Sequence, residues 1–421
     1  MRALVCRWLR AEPHELPALA WAFAYFFLLL ASYYILRPVR DALAVDAGRQ
    51  SVQWLFTATF IAMLALVPVF GWLCARLPRA KLLPIVYGFF AFNLLMFAFS
   101  MEANLFFVWL SVFNLFVVSV FWSFMSDLFD AAQAARLYGA IAAGGSCGAI
   151  AGPLVAASAV GFLGVSGLLL VSAALLAATI VCIAMLARWA RAHPRQGEPA
   201  PDAAIGGTIL DGVRSALSSP FLLGICGYLL CYTVLSTALY FEQIEIVAAA
   251  VPDPLERTRL FASVDLAVNA LTLLIQIFAF SRLAGALGAG WMLALMPLVS
   301  LAGFVWLGLA PVLPVLIAFG ATRRVGEFAI SKPAREALFT VVPRAERYKA
   351  KNFIDTVVYR GGDALSGWAL AGLSAFFAAG LSVVWAAIAF YLGARMKSWT
   401  RADAPSSSPW PPDPSLQKKK T

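Results

Sequence analysis

Apolar stretches of about 20 residues recur from Leu16 almost to the end of this chain, each long enough to cross about 30 Å of hydrocarbon. In lipid a backbone amide or carbonyl finds no water, so such stretches must be helices that pair their own polar groups. Composition agrees: 62% of the 421 residues are hydrophobic, 13% are charged, and the mean hydropathy is +0.82. Soluble domains do not have that balance. The pattern predicts an all-α polytopic membrane protein with about twelve transmembrane helices in two six-helix halves. The expected spans are 16–36, 52–75, 82–100, 105–127, 137–160, 163–187, 220–247, 260–281, 289–308, 312–331, 352–376 and 378–396. Two joints are short, Gly161–Gly164 between spans 5 and 6 and Ala378–Gly380 between spans 11 and 12.

Basic residues orient the bundle. They gather before span 1 (Arg2, Arg7, Arg10), between spans 2 and 3 (Arg76, Arg79, Lys81) and between spans 6 and 7 (Arg188, Arg191, Arg195, Arg214). They also crowd the expected loop from Lys332 to Lys351 and the C-terminal tail. The positive-inside bias then places both termini in the cytoplasm of a multi-pass plasma membrane protein, in a bacterium the inner membrane. The expected organisation is a cytoplasmic arm at 1–15, a six-helix half at 16–187, a cytoplasmic linker at 188–219, a second half at 220–397 and a disordered tail at 398–421. Arg37 and Arg40 break the charge pattern, because they lie on the side where basic residues are otherwise scarce.

The same residues exclude several classes. The net charge of +10 is mostly topological bias, so no nucleic-acid partner is expected. The first apolar run ends in Leu36-Arg37-Pro38 without a small-residue cleavage site, so it reads as a retained span rather than a signal peptide. Cys74, Cys147, Cys182, Cys226 and Cys231 fall in spans as packing residues, with Cys6 in the arm, and none has metal-ligand spacing. His14 and His193 are the only histidines and lie in the arm and a loop, so no catalytic triad, metal centre, cofactor or enzymatic activity is expected. The protein is expected to be a monomer whose partners are the bilayer and a small anion.

Two runs place fixed charge where an apolar chain least tolerates it: ILRPVRDAL (Ile35–Leu43) and KAKNFIDTVVYRGGD (Lys349–Asp363). A charge at the centre of a membrane helix costs roughly 2.5–3.5 kcal/mol on insertion scales, so such residues face a cavity or a partner. In span 8, Asp265, Asn269, Thr272 and Gln276 form one stripe at steps of four, three and four. Span 11 aligns Asp355, Tyr359 and Asp363 beside Arg360, span 10 pairs Arg323 with Glu327, and span 7 ends with Glu242 and Glu245. Cross-helix glue is the plainer reading of any one of these residues, although glue is usually Ser, Thr or Asn. A transport pathway accounts for the set.

Arginine offers a planar fork that fits phosphate or carboxylate and keeps its charge at any pH. Arg37, Arg40 and Arg360 are therefore the candidate anion ligands, with Lys349 and Lys351 at the cytoplasmic mouth. Asp41, Glu242 and Asp363 are candidates for neutralising them in the empty site, and Asp265 and Asn269 complete the set.

Span 5 carries GGSCGAIAGP, in which Gly144, Gly148 and Gly152 make a flat strip for close helix approach rather than a phosphate loop. The two-half pattern, GWLCARLPRAK (Gly71–Lys81) and GAIAGP together resemble the major facilitator architecture. The first lacks that family's usual aspartate, and the second has Ala156 and Ala157 where a glycine pair is usual. ILRPVRDAL, FWSFMSDLF with RLYG, and SKPAREALF followed by KAKNFIDTVVYRGGDAL resemble the ATP/ADP translocase family. That resemblance implies nucleotide transport roles for Arg40 and Arg360, and for Glu242 as the acid near the end of span 7. A second family acid, in span 4, is missing, since SVFNLFVVSVFW offers only Asn114. The expected function is secondary active exchange of nucleotides or related phosphorylated anions. The alternatives are a proton-coupled carrier of another small anion, titrating at Asp265, Glu242 or Asp363, and a non-transporting scaffold or lipid-handling protein.

Overall fold

A computed structural model describes residues 12–76, 79–193, 219–339, 342, 354–369 and 374–401. Most of the arm, the interior of the 188–219 linker, Lys349, Lys351 and nearly all of the tail lie outside the described residues. The helix Leu16–Arg76 is two helices, α1 (16–47) and α2 (49–76), joined at Gly48. Gly48 has φ 75° and ψ 167°, a conformation open in practice only to glycine. Helices α3 (Arg79–Phe99) and α4 (Ala103–Leu128) follow. Ala131–Ala192 divides at Gly164 (φ 65°) into α5 (131–163) and α6 (165–192), at the joint the sequence predicts. Next come α7 (Pro220–Ala250), α8 (Pro254–Phe278), α9 (Phe280–Leu309, broken at Gly288, φ 72°, so that its membrane-length part is 290–309) and α10 (Leu313–Gly326). A π-helical turn (Glu327–Ser331) then leads into α11 (Lys332–Leu338), and a second such turn (Ile354–Val358) into α12 (Tyr359–Ala369), before α13 (Ala375–Arg401).

Among the described residues eight helices are long and apolar enough to cross a membrane, two of them doubled at Gly48 and Gly164. With α10–α11 and α12 the described chain holds twelve helical segments, in keeping with the expected polytopic bundle.

Several expected boundaries move. Arg37 and Arg40 do not close a span; α1 carries them onward, Pro38 included, as far as Gly48. Arg257 and Arg259 stand on α8 rather than in a loop, and Lys332–Leu338 is helix where a loop was expected. Ala378–Gly380 lies inside α13, so the last joint falls before Ala375. The first three share a reason: hydropathy reads charge as solvent, whereas a helix continues through charged residues that find partners. The last joint was read from small residues, Ala378-Ala379-Gly380, which a helix accommodates.

The chain forms two compact units, Met1–Asp202 with Val247–Ala270, and Ala203–Ile246 with Leu271–Thr421. In the first, α1 lies against the glycine strip of α5. A methyl group at Gly144 or Gly152 would sit 2.5 or 2.7 Å from the carbonyl oxygens of Phe23 and Ala31, and one at Gly148 would be closer still to that of Phe27. Ser32 and Ser172 bind α1 to α6 reciprocally, each hydroxyl donating to the other's carbonyl at 3.1 and 3.0 Å. Phe26 stacks on Phe121 at 4.2 Å, and the buried Tyr25 and Tyr87 hydroxyls meet at 2.5 Å. In the second unit the Tyr228 hydroxyl donates to the Leu293 carbonyl (3.0 Å) and pairs with Ser331 Oγ (2.9 Å), tying α7 to α9 and the first π turn. Cys182, Cys226 and Cys231 are buried packing residues, while Cys147 is exposed.

Candidate functional site

The first unit gathers four of the predicted residues. Arg40 donates to Asp41 Oδ1 from Nη2 (2.7 Å) and Nε (3.1 Å). Arg37 Nε lies 3.7 Å from Asp265 Oδ2 and 4.0 Å from Asp41 Oδ2. All four are mostly buried, Asp265 most of all, at 2% side-chain exposure. The guanidinium groups also face aromatic rings, Arg37 that of Tyr34 (5.9 Å) and Arg40 that of Phe107 (5.2 Å). Two guanidinium groups and two carboxylates thus form a charge-balanced cluster, a state a buried site needs when empty. Its Arg37–Asp265 contact exceeds hydrogen-bond length, so that link is an ion pair without a hydrogen bond.

Asn269, one turn beyond Asp265, donates to the Ala149 carbonyl at 2.7 Å, and Arg257 pairs with Asp46. Both contacts tie α8 into the first unit. Farther along the same stripe, Gln276 donates to the Phe328 carbonyl (3.1 Å) within the second unit. Glu242 is half-buried on α7.

In the second unit Arg360 Nη1 lies 3.8 Å from Asp363 Oδ2, with its guanidinium 5.4 Å from the Tyr359 ring. Gly362 allows α12 to approach α7, where an added methyl would strike Thr233. A more deeply buried nest surrounds the first π turn. Arg323, expected to pair with Glu327, instead donates to Ser300 Oγ (3.2 Å), the Tyr232 carbonyl (3.2 Å) and Ser236 Oγ (2.9 Å). Glu327 accepts from Arg335 Nη1 at 3.3 Å, and both side chains are under 10% exposed (6% and 8%). The local cause is Pro333. Lacking an N–H, it cannot bond the Ala329 carbonyl, and the Lys332 amide reaches back five residues to the Glu327 carbonyl. Such turns cluster at functional sites. Sequence reasoning quoted Arg335 inside SKPAREALF without assigning it a role; the Pro two residues earlier was the available signal.

A third charged cluster lies at the start of α1, outside the membrane-spanning segments. Glu15, 1% exposed, accepts from Arg136 at 3.0 and 3.2 Å, from Gln133 at 2.9 Å and from the Glu12 amide at 2.8 Å. Burial pushes its carboxyl up, but the bonds from Glu12, Gln133 and Arg136 outweigh this and hold it below its ordinary value. Alongside, Trp189 Nε1 donates to the His14 carbonyl (3.0 Å), and His14 stacks on His193. This cluster fastens α1 to α5 and α6.

A helical bundle with buried charged clusters defines a class, the polytopic membrane carriers. The sequence pattern of the Major Facilitator Superfamily matches residues 22–322, and the chain belongs to that family. Solved structures share its fold. A bacterial homologue of the human lysosomal transporter Spinster superposes with a TM-score of 0.65 at 13% identity, over 94% of this chain and 100% of that one. A bacterial homologue of the iron transporter ferroportin gives 0.61 at 14%, and the nucleoside transporter NupG 0.61 at 15%, each over 92% of this chain and 99% of the other. At these identities the likeness shows the fold alone. A comparison with curated protein sequences finds no significant match.

Proposed function

We propose that this protein is a secondary active transporter exchanging nucleotides or related phosphorylated anions across the plasma membrane by alternating access, with both termini cytoplasmic. The observation that carries the reading is the buried Arg37–Arg40 pair on α1, set against Asp41 and Asp265. A phosphate presents a pair of oxygens to a guanidinium as a carboxylate does, so an arriving anion can take the place of Asp41 or Asp265 while the freed carboxylate turns to the open, water-filled pathway or takes up a proton. Arg360 beside Asp363 repeats the arrangement at smaller scale, and Lys349 and Lys351 extend the basic surface in sequence. The motif resemblance to ATP/ADP translocases points to the same cargo through Arg40 and Arg360.

The experiment is a thermal-shift screen of purified protein against nucleotides, sugar phosphates and organic acids, since a bound cargo raises the melting temperature by mass action. A charge-assisted hydrogen bond contributes roughly 1.5–3 kcal/mol, so Arg40→Ala is expected to weaken binding about tenfold or more, and Arg40→Lys less. If the arginine merely neutralises Asp41, the double variant Arg40→Ala with Asp41→Ala restores transport and the clamp reading falls. For orientation, cysteines at Gln50 and Asp253 should react with an impermeant reagent in intact cells, and one at Gln196 should not.

A second reading, proton coupling, takes its motive from Asp265, a carboxylate buried in α8 beside Arg37. Collapse of transport on adding an uncoupler, without stimulation by counter-substrate, would put it first.

A further inference from the structure

Glu327 is held by far fewer bonds than Glu15, the other buried glutamate described above. Oε1 accepts from Arg335, while Oε2, sealed from solvent, has no hydrogen-bond partner among the described residues. A buried charged oxygen left so is costly, and native structures keep such groups where a ligand, ion or water completes them. The surroundings select which. Two guanidinium groups, Arg323 and Arg335, share the nest with the Glu327 carboxylate, so a further cation is disfavoured there and an anionic molecule is not. Tyr228, whose hydroxyl meets Ser331 Oγ of the same turn at 2.9 Å, and Tyr232, whose carbonyl accepts from Arg323, add aromatic and polar groups to the nest. Tyr232 is held by the Arg323 guanidinium 5.1 Å from its ring, and Tyr359 lies 6.0 Å from it.

We propose that Glu327 Oε2 is the acceptor for a hydroxyl or amino group on the transported anion, Oε1 remaining with Arg335. The proposal rests on the anion-carrier reading above and narrows it: the cargo carries hydrogen-bond donors besides its anionic group, as a ribose or other sugar phosphate does. Glu327 opens the π turn, a helical distortion that recurs at functional sites. In the conformation seen here the oxygen is shut away, and a donor that reaches it favours the conformation in which it is open. A site with a buried acceptor of this kind rejects an analogue lacking the hydroxyl by orders of magnitude, because binding the analogue leaves the acceptor unpaired.

The test uses the intact purified protein and two probes that share a phosphate, ribose 5-phosphate and n-pentyl phosphate, read by isothermal titration. Wild type should bind the ribose compound at least tenfold more tightly. Glu327→Gln should cut that preference about tenfold, while its affinity for pentyl phosphate stays within about threefold of wild type. Equal binding of the two probes by wild type overturns the proposal while leaving the anion-carrier reading standing, and needs no variant to fold. Undiminished preference in Glu327→Gln overturns it too and returns the residue to a structural or proton-carrying role. If neither phosphate binds wild type, the carrier reading itself fails and this inference goes with it.

Discussion

Glu15 and Glu327 are both almost completely buried, and both face a guanidinium, yet they are opposites in construction. Glu15 takes four hydrogen bonds, two from Arg136, one from Gln133 and one from the Glu12 amide, so both its oxygens are occupied. Glu327 takes, among the described residues, a single 3.3 Å bond on one oxygen. Glu15 lies at the start of α1, where its bonds fix the junction of three helices; Glu327 opens a π turn whose backbone register is already irregular. The difference shows how to separate structural charge from functional charge inside a membrane protein. A group that spends all its bonding capacity on its neighbours holds the fold, and one that keeps capacity in reserve is poised for something that arrives later.

The largest expected effect strikes the saturated site. Arg136→Ala leaves Glu15 buried without its cation and should destabilise the protein by about 3 kcal/mol, read as a drop in melting temperature in detergent. Next is the packing that the Glu15 cluster locks. Gly148→Ala thrusts a methyl into the Phe27 carbonyl, and overpacking of that kind costs about 2 kcal/mol. If Gly148→Ala proves neutral, α1 and α5 are held by the charges rather than by the glycine strip. The two glutamates can then be compared directly by the same substitution. Glu15→Gln, which weakens bonds to both oxygens, should lose about 1.5 kcal/mol, and Glu327→Gln, which weakens only the bond to Arg335, about half as much. Matching losses would erase the distinction.

The smallest effect is in pH. Because Glu15 is held below its ordinary carboxyl range when folded, its stabilisation is complete above the unfolded value of about 4.3 and is lost as pH falls through the lower folded value. Melting temperature should therefore fall in acid, and Glu15→Gln should flatten that part of the profile.

Much of this architecture is legible in the residues because hydrocarbon leaves few options. The spans, the turn near Gly164 and the face formed by Gly144, Gly148 and Gly152 follow from length, spacing and side-chain size. The site is less legible, for a physical reason. Arg40 with Asp41 and Arg360 with Asp363 are neighbours along the chain, and local spacing suggests them. Glu15 meets Arg136, and Arg37 meets Asp265, only through packing between distant helices, which no local period encodes. Arg323 and Glu327 illustrate the limit most sharply. A step of four on one helix predicts a pair, but with the π turn ahead of Pro333, Glu327 pairs with Arg335 instead. The same inference from charge to loop placed Arg37, Arg40 and Arg257 outside helices that in fact carry them.

The central claim, that buried arginines carry a phosphorylated anion by exchange, is tested most directly by counterflow in proteoliposomes. Vesicles holding purified protein are loaded with unlabelled ADP, and uptake of labelled ATP is followed with and without an uncoupler. The account predicts uptake that requires the internal nucleotide, survives the uncoupler and is lost in Arg40→Ala. Uptake indifferent to the internal nucleotide and abolished by the uncoupler, or retained in full by Arg40→Ala, contradicts it.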